Sequence, residues 1–225
     1  GGFSTSQMRL DIQNGKYSGW DDPRLPTLAG LKKRGTQSRA LRNFWLELGI
    51  TQKDISVPLA TLYAHNTKAV DDDAPRLSFV RDPVSFDLVG EHASTIDLPH
   101  HPNRPEMGTR RWSLDNGKIW LESDDLEKMD LRLKEFADVA LHDREARLES
   151  IERSDKRPIV HWLTDQNSTT GVLVGTKDDA CFNIEGRVER HKHPTGTIVQ
   201  LERVGYARVM ENGNFMLCHE ELQDD

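Results

Sequence analysis

The chain changes character at residues 71–75, where three consecutive aspartates are followed by an Ala-Pro pair. Before this point apolar residues recur at helical spacing, and after it short apolar runs are separated by turn signals. This change predicts a helical segment followed by a strand-rich region, whose closely spaced strands favour barrels or a sandwich. We therefore expect a multidomain chain that combines α and β structure.

Three helices are predicted in the first third of the chain. Thr27 can cap a short helix that ends at Gly35, which suits a left-handed terminal residue. Thr36 or Ser38 is predicted to cap a second helix, and a third is predicted over residues 56–70. The apolar face of the second helix is predicted to consist of Leu41, Phe44, Trp45 and Leu48.

Two Asn-Gly dipeptides mark turns in the strand-rich part. Asn116-Gly117 and Asn212-Gly213 each lie between strand candidates and predict hairpins in which both central residues take positive φ. Residues 124–154 are ambiguous, because they have helical propensity while Asp130–Phe136 alternate like a strand. Two tryptophans in apolar strand runs are predicted to lie in the interior rather than to stack on bases. They are Trp120 and Trp162.

The composition predicts a soluble globular protein, with 36% hydrophobic and 30% charged residues. No window approaches the roughly 20 apolar residues of a membrane span. The first residues carry no apolar signal region, and two cysteines are too few for a disulfide framework. These observations predict a cytoplasmic protein that does not bind a membrane.

The net charge of −7 is unevenly distributed. Residues 1–57 carry nine Lys and Arg against five Asp and Glu, a balance of +4, which leaves −11 for residues 58–225. A polyanion would therefore meet the first segment most readily. Its basic cluster, Lys32, Lys33 and Arg34, is a candidate nucleic-acid contact, although cations in the last turn of a helix also complement the helix dipole.

Motifs for common enzyme chemistries are absent from the sequence. There is no GxSxG, Walker loop or GxGxxG. His100 with His101, and His191 with His193, lack the spacing and partners of a zinc site, so no metal site is predicted. The residues by themselves indicate a helical segment with a basic face, joined to β-barrels.

Residues 2–35, GFSTSQMRLDIQNGKYSGWDDPRLPTLAGLKKRG, resemble a junction in the class I glutamyl- and glutaminyl-tRNA synthetases. There, a mobile ATP-side loop, KMSKS in the general class, leads into GWDDPRxPT. Later stretches keep the order of the family, including DDDAPRLSFVRDPV, LPHHPNRPEMGTR, LRLKEFADV, PIVHWL and GTIVQLERVGYARV. The STSQ form resembles archaeal-type glutamyl enzymes more than glutaminyl ones.

The resemblance implies a helical connecting domain followed by two anticodon-binding β-barrels, with the catalytic Rossmann half absent. The implied boundaries are 1–19 for the ATP-side loop and the end of the catalytic fold, 20–75 for the helical domain, and 76–225 for the barrels. The proximal barrel is expected at about 76–150 plus 210–225, and the distal barrel at about 151–209. Residues 131–139 are then expected to be strand.

The resemblance also implies a function. The full-length enzyme is expected to ligate glutamate to its tRNA through a glutamyl-adenylate, using ATP and Mg²⁺. The ATP-side loop would be Ser4, Thr5, Ser6 and Gln7, where Gln7 replaces the lysine of the family. Since the HxGH signature is also absent, we expect this chain to bind neither ATP nor Mg²⁺ and to be inactive alone.

Five residues match positions that contact anticodon nucleotides in related glutaminyl enzymes: Arg76, Arg132, Lys134, Gln200 and Arg203. Each has a structural alternative. Arg76 could cap the preceding helix, Arg132 and Lys134 could form the solvent face of a strand, and Gln200 and Arg203 could pair with neighbours such as Glu202. Asp22 and Arg24 are expected to form an internal pair that fixes a turn.

The expected partner is glutamate tRNA, with glutamine tRNA left open as a second partner, and not DNA. Three alternatives remain open at the level of sequence: a glutaminyl enzyme, a free-standing tRNA-binding module without catalysis, and a structural scaffold. Gene context would separate the module from the enzyme.

Overall fold

The computed structural model describes residues 4–49, 59–153, 156–177 and 179–219. Four helices lie in the first part: α1 (Thr5–Gln13), α2 (Leu28–Arg34), α3 (Ser38–Leu48) and α4 (Leu59–Val70). The first strands are β1 (Arg76–Leu77), β2 (Phe79–Arg81), β3 (Pro83–Val89), β4 (Thr95–Pro99), β5 (Thr109–Ser113), β6 (Lys118–Glu122), β7 (Asp130–Leu133) and β8 (Asp138–His142). The later strands are β9 (Glu145–Ser150), β10 (Ile159–Val160), β11 (Leu163–Thr164), β12 (Ser168–Lys177), β13 (Ala180–Glu189), β14 (Ile198–Leu201), β15 (Gly205–Val209) and β16 (Phe215–Leu217).

The helix signals of the sequence are largely confirmed. Thr27 caps α2 by accepting a hydrogen bond from the backbone N–H of Gly30 at 2.9 Å, and Gly35 ends the helix with a φ of 104°. The N-cap of α3 is instead Gln37, which makes no side-chain capping hydrogen bond. Its backbone N–H donates to the amide oxygen of the buried Asn66 at 2.8 Å. Helix α4 begins at Leu59, and the first residues predicted for it lie outside the described residues.

The face predicted for α3 is only partly buried. Phe44 packs against Leu31 and Leu62, with Leu41 and Leu48 at the edge of this cluster. The side chain of Trp45 is 62% exposed, so it does not belong to the helical core. No helix in the described ranges is long and apolar enough to cross a membrane.

Two seven-stranded, barrel-like sheets follow the helices. The first sheet has the order β1-β14-β15-β16-β12-β13-β2, and the second has the order β10-β7-β8-β9-β3-β6-β11. Strands β4 and β5 form a separate pair. Each large sheet encloses its own apolar core, around Phe79 and Phe215 in the first and around Leu131 and Trp162 in the second.

The sheets divide the strands differently from the predicted barrel boundaries. Seven of the strands between residues 83 and 164 form the second sheet, as an insertion between β2 and β12 of the first, and the separate β4–β5 pair lies in the same stretch. The chain leaves the first sheet at Asp82, whose φ is 39°. Strands β10 and β11, which were assigned to the distal barrel with residues 151–209, pair instead with β7 and β6. This correction matters because both sheets then contribute residues to one cleft.

The ambiguous segment is β structure. Strands β7 and β8 pair antiparallel, so the expectation of strand over residues 131–139 is confirmed apart from a turn at residues 134–137. Glu135 has a φ of 59° in that turn. The helical propensity of this stretch is overridden because alternate leucines enter the core of the second sheet.

Only one of the two Asn-Gly hairpins forms. Strands β15 and β16 pair around Asn212-Gly213, whereas β5 pairs with β4 and β6 pairs with β3, so Asn116-Gly117 is a turn between strands of different sheets. In both dipeptides the glycine has positive φ and the asparagine does not, contrary to the prediction. Trp162 is buried as predicted, and Trp120 is partly buried against the same core.

Candidate nucleic-acid interface

A cleft of about 190 Å³ lies where the two large sheets meet. Three residues that the sequence identified as candidates for RNA contact line it: Lys134, Gln200 and Arg203. Its other walls are Ile159, Val160, His161 and Glu202. These positions are far apart in the sequence, and the fold brings them together.

Short parallel pairings position the cleft residues. On the first sheet, β14 pairs with β1, and the backbone N–H of Gln200 donates to the carbonyl of Pro75 at 2.9 Å. On the second sheet, β10 pairs with β7, and the backbone N–H of Lys134 donates to the carbonyl of Val160 at 3.0 Å. Arg203 lies in the turn after β14 with a φ of 62°. The backbone therefore fixes where each of these side chains begins.

The two cations in the cleft are each matched by a carboxylate. Lys134 Nζ lies 2.7 Å from Oε1 of Glu202. Arg203 forms a two-point ion pair with the buried Asp125, with Nη1 2.6 Å from Oδ2 and Nη2 3.1 Å from Oδ1. Among the described residues, no side-chain hydrogen bond of Gln200 is found. The cleft is thus polar without a strong net charge.

A buried network lies behind Arg203. His161 Nδ1 is 3.2 Å from Arg203 Nη1, and His161 Nε2 is 2.8 Å from the carbonyl oxygen of Phe79 and 3.2 Å from Oε2 of Glu122. Arg81 also donates to Glu122. Burial by itself would raise the pKa of the Glu122 carboxyl, but the hydrogen bonds from His161 and Arg81 outweigh it and lower this pKa to about 2.

Sequence reasoning missed two members of this site. Asp125 lies in a stretch that was ambiguous, and its role depends on a contact 78 residues away along the chain. His161 stands in the middle of the apolar run PIVHWL. A titratable residue within such a run is itself a signal, because buried polar groups need partners.

Comparisons with known proteins show which proteins the chain resembles. Residues 74–155 match the family model described as tRNA synthetases class I (E and Q), anti-codon binding domain. The chain is also 35% identical over 218 residues to a glutamate–tRNA ligase of Archaeoglobus fulgidus, a match that covers 93% of this chain and 38% of the relative. Over the matched residues the chain is therefore similar to the E and Q group of class I tRNA synthetases.

Two further relatives of this synthetase group carry the same description. A glutamate–tRNA ligase of Methanosarcina mazei is 36% identical over 222 residues, covering 93% of this chain and 38% of the relative. One from Methanothrix thermoacetophila is 34% identical over 230 residues, covering 97% and 40%. The chain therefore spans about two fifths of the length of these relatives.

Arg132 is not placed as predicted for a residue that contacts RNA. Alternation puts Leu131 and Leu133 in the core, as expected, but the side chain of Arg132 on the opposite face is only 14% exposed. Arg132 Nη1 lies 3.0 Å from Oδ1 of Asp138, which faces it directly across the β7–β8 ladder. It also donates to the carbonyl of Ile151 at 3.0 Å. The prediction of an outward-facing arginine was wrong.

Arg76 takes the structural alternative considered for it. Its side chain is buried, Nη2 lies 2.7 Å from Oδ1 of Asp71, and Nη1 donates to the carbonyl of Ala74 at 3.2 Å. It thereby holds the chain that leaves α4. It also lines a smaller cavity of about 60 Å³ next to the main cleft, which it shares with Lys134 and His161.

The basic cluster does lie in the last turn of α2, and its members differ in environment. Lys32 is exposed, and Lys33 Nζ lies 3.0 Å from Oδ2 of Asp21. Arg34 is buried, with Nη1 3.4 Å from the hydroxyl oxygens of Tyr63 and Thr176. Arg34 therefore connects the helices to the first sheet and is not placed to contact RNA.

Lys33 also lines a second groove, of about 400 Å³. Its other lining residues are Thr195, Arg208, Met210, Glu211, Asn212 and Met216. The side chain of Arg208 makes no hydrogen bond or ion pair within the part of the chain that the structure describes. Two cations therefore line one open groove beside the first sheet.

The predicted ATP-side loop begins a helix. Ser4 is the N-cap of α1, and its Oγ accepts from the backbone N–H of Gln7 at 3.1 Å, so Thr5, Ser6 and Gln7 form the first turn instead of a loop. The side-chain amide of Gln7 donates to Oδ1 of Asp11 at 2.7 Å. This segment offers no side-chain cation to a phosphate.

The WDDPR turn is held as predicted. Asp22 is buried and accepts from Arg24 Nε at 2.9 Å and from the backbone N–H of Ser18 at 2.9 Å. The hydrogen bond from Arg24 lowers the pKa of the Asp22 carboxyl well below its usual range. Across the described ranges, no group of three or more His, Cys, Asp or Glu side chains is arranged to hold a metal ion.

Proposed function

We propose that this chain is the tRNA-binding part of an ATP-dependent glutamate–tRNA ligase, and that its inter-sheet cleft receives one unstacked nucleotide of the anticodon loop. The observation that carries the proposal is the convergence of Lys134, Gln200 and Arg203 on that cleft. Proteins read single-stranded RNA by taking a base out of its stack and hydrogen-bonding its edges.

The chemistry of the walls suits a base better than a bare phosphate. Arginine and lysine supply donors only, a carboxylate supplies acceptors, and the amide of Gln200 supplies both. Because Glu202 and Asp125 already match the two cations, net attraction for a polyanion is small, and the pattern of donors and acceptors decides affinity. Ile159 is half-exposed at the rim and gives the flat face of a base an apolar contact.

Two regions play different parts in this proposal. The cleft reads a base, whereas Lys33 and Arg208 in the second groove contact the phosphate backbone, together with the exposed Lys32. We leave Arg34, Arg76 and Arg132 out of direct RNA contact because their side chains are largely covered. The side chains of Lys134 and Arg203 are also ion-paired, but they remain 42% and 44% exposed.

The reaction of the complete enzyme belongs to the same proposal. It joins glutamate to ATP as an adenylate, with Mg²⁺ accompanying the ATP, and transfers the glutamyl group to tRNA in the cytoplasm. Ser4 to Gln7 would lie on the ATP side, but this segment and its bonded Gln7 amide supply neither a cation nor a metal ligand set. We therefore propose that the chain alone is inactive. Glutamate-dependent exchange of pyrophosphate into ATP by the isolated chain, above the blank, would contradict this.

The glutaminyl alternative is the weaker one, because the relatives described above are all glutamate–tRNA ligases. Binding of purified glutamate and glutamine tRNAs to the chain, compared side by side, tests the preference. At least tenfold tighter binding of glutamate tRNA is the expected result, which corresponds to about 1.4 kcal/mol. Equal binding of the two tRNAs would contradict this preference.

The substitution Gln200→Ala tests the cleft itself. The side chain has no internal partner among the described residues, so its removal leaves no buried group without a hydrogen bond. We expect tRNA affinity to fall about five- to tenfold, the effect of one or two lost hydrogen bonds to a base. The melting temperature should stay unchanged. Gln166→Ala, in the exposed turn before β12, is the matched control and should change neither quantity. Unchanged affinity of Gln200→Ala would remove the central support for the proposal.

A further inference from the structure

We infer that His161 is a positioning residue for RNA recognition, and that its Nε2–H tautomer holds the guanidinium of Arg203 in its orientation in the cleft. The inference rests on the proposed function, since it gives a reason for the orientation of a residue proposed to read a base. It assigns a role to a buried histidine that does not itself need to touch RNA.

The tautomer follows from hydrogen-bond chemistry. The Arg203 guanidinium has donors only, so His161 Nδ1, 3.2 Å from Arg203 Nη1, must be the acceptor and carries no proton. The ring proton is therefore on Nε2. This nitrogen faces two acceptors, the carbonyl oxygen of Phe79 at 2.8 Å and Oε2 of Glu122 at 3.2 Å. Both nitrogens are thus satisfied in one tautomer only.

The surroundings lock that tautomer in place. His161 and Glu122 are both almost fully buried, so the Nε2–H cannot exchange its partners for water. Arg81 binds the same carboxylate, which orients Glu122 toward the histidine ring. A proton on Nδ1 would place a donor against a donor at Arg203. His161 and Glu122 belong to the second sheet. They therefore help to fix the orientation of Arg203, a side chain of the first sheet.

Arg203 needs this support because of where it lies. It belongs to the turn between β14 and β15, and 44% of its side chain is exposed to the cleft. Asp125 binds both terminal nitrogens of the guanidinium. The contact with His161 gives Nη1 a second, non-collinear acceptor. Acceptors from different elements thereby restrain the orientation of the fork that a base would meet.

Two substitutions of His161 test its two ring nitrogens separately. In His161→Asn, the amide oxygen can take the place of Nδ1 and keep an acceptor for Arg203, while the donor to Phe79 is lost. In His161→Gln, the amide N–H can take the place of Nε2 and keep the donor to Phe79, while the acceptor for Arg203 is lost. Affinity for a glutamate tRNA transcript, followed by fluorescence anisotropy, and the melting temperature are measured for both.

We expect His161→Gln to bind the transcript about five- to tenfold more weakly, close to the loss in Arg203→Ala. A chain that carries both His161→Gln and Arg203→Ala should lose no more affinity than either single variant, because both substitutions remove the same oriented contact. His161→Asn should stay within about twofold of the unsubstituted chain, although it melts at a lower temperature. His101→Gln is the matched control, because His101 is equally buried and also bridges a carbonyl at Nε2 and a backbone N–H at Nδ1, outside the cleft. It should lower the melting temperature and leave affinity unchanged.

The outcomes separate this inference from the proposed function. If Arg203→Ala binds normally, the cleft is not the RNA site and the proposed function fails. If Arg203→Ala is weak but His161→Gln binds normally, or if both His161 variants lose affinity in proportion to their melting temperatures, the positioning role alone is overturned. Nitrogen NMR of the unsubstituted chain at neutral pH identifies which ring nitrogen of His161 carries the proton, and it does not depend on the folding of any variant. A proton on Nδ1 would also overturn the inference.

Discussion

Arg132 Nη1 lies 3.0 Å from Oδ1 of Asp138, a completely buried carboxylate that faces it from the neighbouring strand β8. The substitution Arg132→Ala removes one cationic hydrogen-bond donor from this buried carboxylate, and the loss of such a partner costs about 1 to 3 kcal/mol. We expect the free energy of unfolding in urea to fall by about that amount.

Arg147→Ala is the control for this prediction. Arg147 forms an exposed ion pair with Glu145 on β9, and exposed pairs contribute about 0 to 1 kcal/mol. The role of Arg132 in RNA recognition, which the structure argues against, would be restored by one result. In that result the Arg132→Ala chain is as stable as the Arg147→Ala chain but binds tRNA more weakly.

Gly35→Ala is predicted to destabilise the chain more than Gly213→Ala. Both glycines have φ in the left-handed region, at 104° and 77°, so both substitutions incur backbone strain of roughly 1 kcal/mol. A Cβ at Gly35 would also lie 2.7 Å from Ile198 Cδ1 and 2.9 Å from Cys218 Sγ, whereas at Gly213 nothing lies within 4 Å. Thermal unfolding of both variants measures the difference. Equal melting temperatures would show that Ile198 and Cys218 of the first sheet move away from the added methyl group at little cost.

Local chemistry made parts of this fold predictable from the sequence. The Thr27 cap, the Gly35 terminus and the Asp22–Arg24 turn all depend on partners within eight residues, so the sequence itself contains both sides of each interaction. The division of strands between sheets depends on pairings such as β2 with β13, which no local pattern encodes. The predicted barrel boundaries failed for this reason.

The candidate site was only partly predictable from the sequence for the same reason. Alternation correctly placed Leu131 and Leu133 inside, but it could not show that Asp138 lies opposite Arg132 on the other face. Lys134, Gln200 and Arg203 were identified through the resemblance, and their convergence appeared only in the folded chain. Asp125 and His161 escaped because each acts through a contact with Arg203, which lies in the other sheet.

Stability is predicted to fall as the pH drops from 7 to 5, with His219 as one contributor. Burial, and secondarily the nearby Arg34 cation, lower the pKa of His219 from 6.5 to about 4. The unfolded chain then binds a proton below pH 6.5 that the folded chain refuses until near pH 4, so protonation favours unfolding in this window. At pH 5 the effect is on the order of 2 kcal/mol.

His219→Phe removes this titration while keeping an aromatic ring next to Tyr63, whose ring stacks on it at 5.0 Å. The loss of stability between pH 7 and 5, measured by urea unfolding, should shrink relative to the unsubstituted chain. A remaining slope is expected because burial also lowers the pKa values of His100, His191 and His193. His142→Phe, at an exposed position, should leave the slope as it was, and an unchanged slope in His219→Phe would contradict the prediction.

The second groove yields a prediction about salt. If Lys33 and Arg208 contact phosphates, binding of tRNA releases counterions. Each lost contact then lowers the magnitude of the slope of log K against log salt concentration by about 0.7 to 0.9. Arg208→Ala should therefore weaken binding of glutamate and glutamine tRNAs by a similar factor and reduce this slope by about one contact. Gln200→Ala, which removes a neutral side chain from the cleft, should weaken binding without changing the slope. Arg144→Ala removes an exposed cation from the second sheet and is the control for net charge alone. Arg208 is not a phosphate contact if its variant and the Arg144 variant shift the slope equally.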